Sequence, residues 1–388
     1  MADNKRGSQA VILCPADSWV EHRLLGLTIG ERLLLSLAAS GLDKVAFAGV
    51  GSRPESKRAA IEVVELADID RQERVLLLAA DVVFDKGAWA DRPRSDEVSP
   101  ICLVPGADLE SLLADADAWL SKRSPGMAGS GPGFAIRVGD KNSARVARRS
   151  LLDSLRKPID GFVSRHLNRH LSLSLTPLLI RTGWRPNTFT VIFALVGVAS
   201  GVMAVFAEYW WALVAAGLLF QAQSVLDGCD GEMARLTFRF SHIGQWLDSI
   251  GDDLTNYLFC LGLALGQARV SGQCWLYVFG GLTFIFQWAA SGINYRRMIV
   301  MGTGDLLAIP DTVTTSNETF FGKFMGFMRM LSKRDVFVFI VAAFTVAQLP
   351  LVAFFVFAGG TYPTFLGVLV NDIRVSRMTA GGKSVKAA

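Results

Sequence analysis

The chain has 388 residues, of which 51% are hydrophobic, and it carries a formal net charge of +4. This length allows two or three domains, and so small a positive charge does not indicate a nucleic-acid-binding protein. The five cysteines include no C-x-x-C pair and indicate neither a zinc site nor a disulfide framework. The polar first residues, MADNKRGSQ, lack the apolar core of a secretory signal peptide.

Residues 1–145 have the pattern of an α/β domain. Apolar runs at Ala10–Leu13 and Lys44–Gly49 predict two strands, and residues 28–40 between them predict a helix. A later strand is predicted at Val75–Asp81, where it ends in an acid. Strands that alternate with helices indicate a largely parallel sheet.

Residues 146–186 form a basic segment in which arginines alternate with leucines. This composition predicts an amphipathic helix on the cytoplasmic membrane surface. A nucleic-acid-binding reading fits less well, because a strongly apolar region follows directly. The basic residues in and beside the segment are Arg145, Arg148, Arg149, Arg156, Lys157, Arg165, Arg169, Arg181 and Arg185.

Residues 187–372 are dominated by long apolar runs, and they predict an all-α domain of six transmembrane helices. The predicted spans are residues 187–207, 210–227, 246–267, 273–293, 335–349 and 351–370.

Lysine and arginine predict the orientation of these spans. They are concentrated in the loop after the fourth span and in the tail, residues 373–388, whereas Arg269 is the basic residue on the opposite side. Because positive loops stay in the cytoplasm, we expect both termini to be cytoplasmic. The protein is then a multi-pass membrane protein.

Four aspartates lie at the ends of two of the apolar runs, in the pattern D-x2-D-G-x2-A-R-x8-G-x3-D-x3-D. On helices, members of a pair three or four residues apart share one face. Two such helices side by side present four carboxylates to one site, which also lies on the cytoplasmic side. The residues of the pattern are Asp227, Asp230, Gly231, Ala234, Arg235, Gly244, Asp248 and Asp252.

Clustered acids beside apolar sequence need a compensating partner, and a divalent cation is the simplest one. Two other readings remain open from the residues alone. The acids are solvated at the ends of capped helices, or they form the cation site of a transporter or receptor. Glycine allows close approach of a ligand, and an arginine suits phosphate, so the full pattern favours a phosphate-handling site.

This pattern resembles the complete signature of the CDP-alcohol phosphotransferase (phosphatidyltransferase) family. Further segments resemble the membrane half of bifunctional inositol-1-phosphate cytidylyltransferase/di-myo-inositol-phosphate phosphate synthases. They include Lys157–Gly161, Ser164-Arg165, Asn168-Arg169, Pro186-Asn187 with Thr190, and Ser224–Glu232.

The resemblance implies an enzyme that moves a substituted phosphoryl group from a CDP-alcohol to an acceptor alcohol and releases CMP. It implies Mg²⁺ or Mn²⁺ held by Asp227, Asp230, Asp248 and Asp252, with Asp252 also the general base. The nucleotide would contact Asn187, Thr190, Asp227, Gly231, Ala234, Arg235 and Gly244. A phosphate on the acceptor, such as inositol phosphate, would find cations among Arg296, Arg297, Arg329 and Lys333.

Two substrate classes compete within this reading. One pairs CDP-inositol or another soluble CDP-alcohol with a polyol phosphate, and the other is phospholipid synthesis from CDP-diacylglycerol or onto a lipid alcohol. The resemblance also implies a homodimer. The small residues Gly197, Ser200 and Gly201 suit such an interface or packing within one chain equally well.

The resemblance further implies that residues 1–145 are a nucleotidyltransferase relative in which Asp81 would hold metal. Such enzymes cradle the triphosphate with a glycine-rich loop after the first strand. Here that loop reads Cys14-Pro15-Ala16-Asp17-Ser18-Trp19 and has no glycine. We therefore expect a degenerate domain that binds a ligand, senses a signal, positions the membrane half or supports dimerisation. The alternative is an active cytidylyltransferase.

Overall fold

A computed structural model describes residues 9–85, 99–122, 133–156, 160–302 and 333–380. The chain forms two compact units. The first is Met1–Lys157 with Leu236–Phe238, and the second is Pro158–Arg235 with Arg239–Ala388. The division between the units thus lies within the basic segment 146–186, and the predicted domain bounds stay predictions.

The first unit contains a mixed five-stranded sheet in the order β5-β4-β1-β6-β8. Neighbours from β5 to β6 are parallel, and β8 runs antiparallel to β6. Separate two-stranded ribbons pair β2 with β3 and β7 with β9. The strands are β1 (Gln9–Leu13), β2 (Arg23–Leu24), β3 (Leu27–Thr28), β4 (Lys44–Ala48), β5 (Glu62–Val63), β6 (Arg74–Ala79), β7 (Val82–Phe84), β8 (Ile101–Pro105) and β9 (Ala135–Arg137).

Four helices of this unit are α1 (Ile29–Ala39), α2 (Leu109–Ala114), α3 (Ala116–Ser121) and α4 (Lys141–Asp153). The hydroxyl of Thr28 accepts the N–H of Glu31 and so caps α1. Strand β1 is completely buried, as its uninterrupted apolar sequence requires in a central parallel strand. The predicted α/β architecture is confirmed.

The second unit is helical. Its described helices are α5 (Arg169–Arg181), α6 (Pro186–Val205), α7 (Trp210–Thr237), α8 (His242–Ser271), α9 (Trp275–Met301), α10 (Arg334–Val346) and α11 (Pro350–Ala380). Each of the six predicted spans coincides with one of the helices α6 to α11.

Four helices in the described ranges are long and apolar enough to cross a membrane: Pro186–Val205, Trp210–Thr237, Trp275–Met301 and the Pro350–Ile373 part of α11. Helix α8 carries several acids in its first three turns, and α10 has 13 residues. A six-span domain therefore stays a prediction, because these two helices do not meet the criteria of length and apolarity.

The basic segment 146–186 is not one continuous helix. Helix α4 ends at Asp153 and belongs to the first unit, whereas α5 begins at Arg169 in the second. A π-helical turn at Ser164–Asn168 leads into α5. The Arg169 side chain is buried in ion pairs, so it is not part of an exposed basic face.

Helices α6 and α8 pack almost backbone to backbone. A Cβ atom on Gly262 would lie 2.2 Å from the carbonyl oxygen of Gly201, and one on Gly197 would lie 2.2 Å from Thr255 Oγ1. Ser200 in the same helix is completely buried. Within one chain, these small α6 residues therefore serve the contact with α8, which is the packing use that the sequence left open.

We expect Gly262→Ala to destabilise the second unit by about 1–3 kcal/mol, because the added methyl group overpacks this contact. Gly281→Ala is the matched control, since a Cβ atom there meets nothing within 4 Å. Thermal unfolding in detergent measures the difference. Equal midpoints for the two variants would contradict the close α6–α8 packing.

Candidate functional site

The four motif aspartates lie on neighbouring faces of α7 and α8. Asp227 and Asp230 are near the end of α7, and Asp248 and Asp252 are in the first half of α8. The carboxylates of Asp227 and Asp252 both bind the guanidinium of Arg334. The structure therefore brings an acid of α7 and an acid of α8 to one point.

Asp230 faces a different partner. Its carboxylate accepts a hydrogen bond from Thr190 Oγ1 of α6 and one from the N–H of Gly231, at 2.5 Å. Asp230 is 6% exposed and Thr190 is equally buried. The hydrogen bond of Thr190 ties α6 to α7, and a contact of Thr190 with the nucleotide stays a prediction.

Arg334, the first residue of α10, reaches into the acidic cluster. Its Nη1 is 3.0 Å from Asp227 Oδ2, and its Nη2 binds Asp252 Oδ1. Gln223 joins this arrangement at 3.4 Å from both Arg334 Nη2 and Asp252 Oδ1. Gln223 was missed by the sequence reasoning, although it precedes Asp227 by one helical turn on the same face.

The expected nucleotide contacts fall into two groups. Asn187 is next to Gly244, where a Cβ atom would lie 2.6 Å from Asn187 Oδ1. The guanidinium of Arg235 lies over Gly231, 3.6 Å from the position of a Cβ there. The Nε of Arg235 is buried and has no hydrogen-bond partner among the described residues, so it is an available donor.

A buried ionic network behind the motif was also missed. Glu232 has a side-chain exposure of 0%. It accepts hydrogen bonds of 2.7 Å from Arg169, Ser172 and Thr176, all on α5. Arg169 also binds Asp160 through two nitrogens, at 2.9 and 3.1 Å. Burial alone would lower the pKa of Arg169, but these hydrogen bonds raise it above its ordinary value.

This network fixes α5 against α7 beside the site. The sequence did not single out these residues. Glu232 occupies a variable position of the aspartate motif, and Arg169 is one of many basic residues in the segment 146–186. A buried acid requires a partner, and here the partner of Glu232 is Arg169 of α5.

A second polar cluster joins another face of α8 to α9. Asp253 Oδ2 accepts hydrogen bonds from Ser291 and Tyr295 of α9, the latter at 2.6 Å. Tyr257 is hydrogen-bonded to the same Ser291. Since Asp253 is turned about 100° from Asp252 around the helix, its contacts with α9 fix the rotation that points Asp252 toward α7.

Two of the four residues suggested for an acceptor phosphate are paired with an acid of α11. Arg296 and Arg297 share the carboxylate of Asp372, at 2.9 and 3.0 Å. Lys333 is exposed beside Arg334, and Arg329 lies outside the described residues. A role in acceptor binding stays a prediction for this group.

The carboxylates have the donor type that Mg²⁺ or Mn²⁺ prefers. Like charges close together also call for a cation between them. Within the described residues, no three acidic, histidine or cysteine side chains already stand in metal-ligand geometry. The type of donor atom in these side chains fits a divalent cation. In the arrangement seen here, two of the carboxylates bind the guanidinium of Arg334.

The sequence matches the family model described as CDP-alcohol phosphatidyltransferase over residues 184–359. The bifunctional IPC transferase and DIPP synthase of Archaeoglobus fulgidus is 26% identical over 347 residues, which are 86% of this chain and 61% of that protein. The protein of the same description from Thermococcus kodakarensis is 39% identical over 133 residues, 34% of this chain and 29% of that protein.

Among solved structures, the phosphatidylinositol phosphate synthase of Mycobacterium tuberculosis with CDP-DAG bound aligns with 53% of this chain and 91% of its own. The sequence identity is 15% and the TM-score is 0.38. The chain spans about three fifths of the Archaeoglobus relative and less than a third of the Thermococcus one. The matched residues contain the whole aspartate motif with its α6 and α10 partners. Residues 184–359 therefore form a CDP-alcohol phosphatidyltransferase family domain.

Proposed function

We propose that this protein is a divalent-metal-dependent enzyme that transfers a substituted phosphoryl group from a CDP-alcohol to an acceptor alcohol. The observation that carries the proposal is the meeting of Asp227 of α7 and Asp252 of α8 at the guanidinium of Arg334, within the residues that match the family model. A cation transporter or receptor would not need the nucleotide-binding glycines and arginine beside these acids, so the enzyme reading is preferred.

In the proposed reaction, the acceptor hydroxyl oxygen bonds to the phosphorus that carries the donor alcohol. The bond between that phosphorus and the bridging oxygen breaks, and CMP leaves. A Mg²⁺ or Mn²⁺ ion held by Asp227, Asp230, Asp248 and Asp252 would supply charge neutralisation on the diphosphate. Asp252 takes the proton of the attacking hydroxyl as general base.

The remaining site residues would bind and orient the nucleotide. Arg235 offers an unused buried Nε–H close to Gly231, which suits a phosphate oxygen of the donor. Asn187 lies beside Gly244, and both would contact the nucleotide. Thr190 holds Asp230 and so fixes the orientation of this carboxylate. These assignments rest on the proposed reaction.

For the substrates we propose a soluble CDP-alcohol, such as CDP-inositol, and a polyol phosphate such as inositol phosphate. The support is the similarity to two relatives described as IPC transferase and DIPP synthase. A phosphatidyltransferase that uses CDP-diacylglycerol is the alternative, because four helices suit a membrane and bring the site near lipid.

We also propose that α6 to α11 all cross the membrane, with both termini and the aspartate site in the cytoplasm, and that the protein is a homodimer. The support for six crossings is that every predicted span coincides with a helix. Neutralised acids are tolerated in a helix that faces a bundle interior, so α8 can cross despite its charges.

For the first unit we propose a degenerate nucleotidyltransferase relative that has lost its metal site. Asp81 is 2% exposed, and Arg137 Nε donates to both of its oxygens at 3.0 and 3.2 Å. Burial raises the pKa of Asp81 and Arg137 opposes this rise. The loop after β1 is covered by backbone, since a Cβ on Gly51 would lie 1.9 Å from the Pro15 carbonyl oxygen.

We therefore expect no pyrophosphate when the full-length protein is incubated with CTP, inositol 1-phosphate and Mg²⁺. Arg137 occupies the carboxylate that a metal would need, and the loop leaves no cradle for a triphosphate. Pyrophosphate release, measured with a coupled phosphate assay, is compared with Asp81→Asn. Release that disappears in this variant would show an active cytidylyltransferase instead.

The transfer reaction is tested with purified full-length protein, Mg²⁺ and either CDP-inositol or CDP-diacylglycerol, each with a panel of alcohol acceptors. We expect CMP with CDP-inositol and a polyol phosphate, and a product that stays in the aqueous phase. CMP only with CDP-diacylglycerol, with a product extracted into organic solvent, would establish the lipid alternative. Absence of CMP with every pair would contradict the proposed function.

A further inference from the structure

The strongest unassigned feature of the site is the guanidinium of Arg334, which lies between two acids of the aspartate motif. One terminal nitrogen binds Asp227 and the other binds Asp252. The two carboxylates come from different helices, α7 and α8, and Arg334 comes from a third, α10. The guanidinium of Arg334 thus offers one positive charge to two carboxylates that are predicted metal ligands.

We propose that Arg334 is an internal counter-ion that holds Asp227 and Asp252 together in the cation-free protein and gives way when a divalent cation binds there. The proposal rests on the proposed function, because it assumes that the aspartates are cation ligands. It goes further, because it assigns to Arg334 a competition with the cation that the motif does not contain.

The geometry of Arg334 suits a partner that can be exchanged. Arginine binds a carboxylate most strongly when two parallel N–H groups meet its two oxygens. Arg334 instead divides its terminal nitrogens between two carboxylates. Its Nε is buried and has no hydrogen-bond partner in the described part of the chain, and an unsatisfied buried donor weakens this arrangement.

The base of the Arg334 side chain is fixed, so the change is confined to the side chain. The next residue, Asp335, accepts a hydrogen bond of 2.7 Å from the N–H of Ser164. Its carboxylate also fills the space over Gly161, where a Cβ atom would lie 2.1 Å from Asp335 Oδ1. The start of α10 is therefore anchored, while the Arg334 side chain is one third exposed and has a route toward solvent.

Electrostatics favours the exchange. Asp248 lies one helical turn before Asp252 on α8, so the single positive charge of Arg334 serves an acidic cluster larger than the two carboxylates that it binds. A divalent ion provides twice the charge of the guanidinium and binds several oxygens at once. The same ion would repel a guanidinium that stays between its ligands. Binding of the cation and the Arg334 bridge therefore exclude one another.

The test measures binding of Mn²⁺ alone to the full-length protein in detergent, from the loss of the free Mn²⁺ signal in electron paramagnetic resonance. We expect Arg334→Gln to bind Mn²⁺ about tenfold or more tightly than the wild type, because the competing charge is gone. Arg334→Lys keeps the charge without the fork that reaches two carboxylates, so its affinity should lie between the two. Arg269→Gln removes an arginine paired with Glu208 outside the site and should match the wild type.

Asp227→Asn and Asp252→Asn separate the two levels of the argument. If both weaken Mn²⁺ binding while Arg334→Gln and Arg334→Lys bind no more tightly than the wild type, the counter-ion proposal is overturned and the proposed metal site stands. If both asparagine variants bind Mn²⁺ as the wild type does, the carboxylates are not the cation site, and the proposed function loses its support as well. If Arg334→Gln does not fold, Arg334→Lys decides the first question.

Discussion

Asp252→Asn should reduce CMP release by at least about 10³-fold, since a catalytic base alone contributes on the order of 10²–10⁴. The substitution replaces a carboxylate oxygen by an amide nitrogen of the same size. It removes the proposed proton acceptor and one proposed metal ligand together, while Gln223 and Arg334 remain next to the side chain. CMP release from the donor and acceptor pair that the wild type uses is the measurement.

The control is Glu208→Gln, the same acid-to-amide change at an exposed residue between α6 and α7. Glu208 pairs with Arg269 and touches none of the motif residues in the described structure. It should release CMP at the wild-type rate. Both variants must elute as folded protein in size-exclusion chromatography. An Asp252→Asn protein that keeps a substantial part of the wild-type rate would remove Asp252 from the reaction.

Arg169→Ala should destabilise the second unit by about 3–5 kcal/mol, the range for breaking a buried ion pair on one side. Glu232 is fully buried and Asp160 is 10% exposed, so the truncation leaves two acids without their shared cation. The loss of packing by the long arginine stem adds to the effect. Thermal unfolding in detergent, at one fixed heating rate, measures it.

A second substitution identifies the cause. Arg169→Ala combined with Glu232→Gln should recover part of the lost stability, because the buried charge is then neutral. The amide oxygen still accepts from one of the two hydroxyl groups, and the amide nitrogen can donate to the oxygen of the other. Arg269→Ala is the matched control. Its pair with Glu208 is 47% and 34% exposed, and such surface pairs contribute about 0–1 kcal/mol. If Arg169→Ala unfolded at the same temperature as Arg269→Ala, the network would be of no importance for stability.

The sequence predicted three strands of the first unit, which coincide with β1, β4 and β6, because each is a short apolar run bounded by polar residues. The shorter strands, such as the two-residue β5, have no such run and were not predicted. In the second unit the apolar runs predicted six helices, and six described helices coincide with them. The bounds differ most for α7, which ends at Thr237 rather than at residue 227, and for α11, which ends at Ala380 rather than at residue 370. Apolarity locates the part of a helix that avoids water, whereas the helix itself continues wherever its backbone hydrogen bonds persist.

Residues 146–186 show where composition misleads. Arginines and leucines in alternation predicted a single surface helix, but the structure ends α4 at Asp153 and buries Arg169 at the start of α5. Whether an arginine faces water or an internal acid depends on what packs against it. The acid is Glu232, which lies 63 residues further along the chain. No local sequence pattern predicts this ion pair.

The spacing of residues in the sequence was enough to predict two pairs of acids, each on one face of its helix. It was also enough to show the resemblance of the full pattern to the CDP-alcohol phosphotransferase family. These features depend on spacings within about 25 residues, and the geometry of a helix converts such spacings directly into shared faces. The tertiary structure decided which other side chains meet these faces. Arg334 is 107 residues from Asp227, and its place between Asp227 and Asp252 follows from the packing of α10 against α7 and α8. Contacts at such separations depend on how whole helices pack, and the distance along the chain carries no information about them.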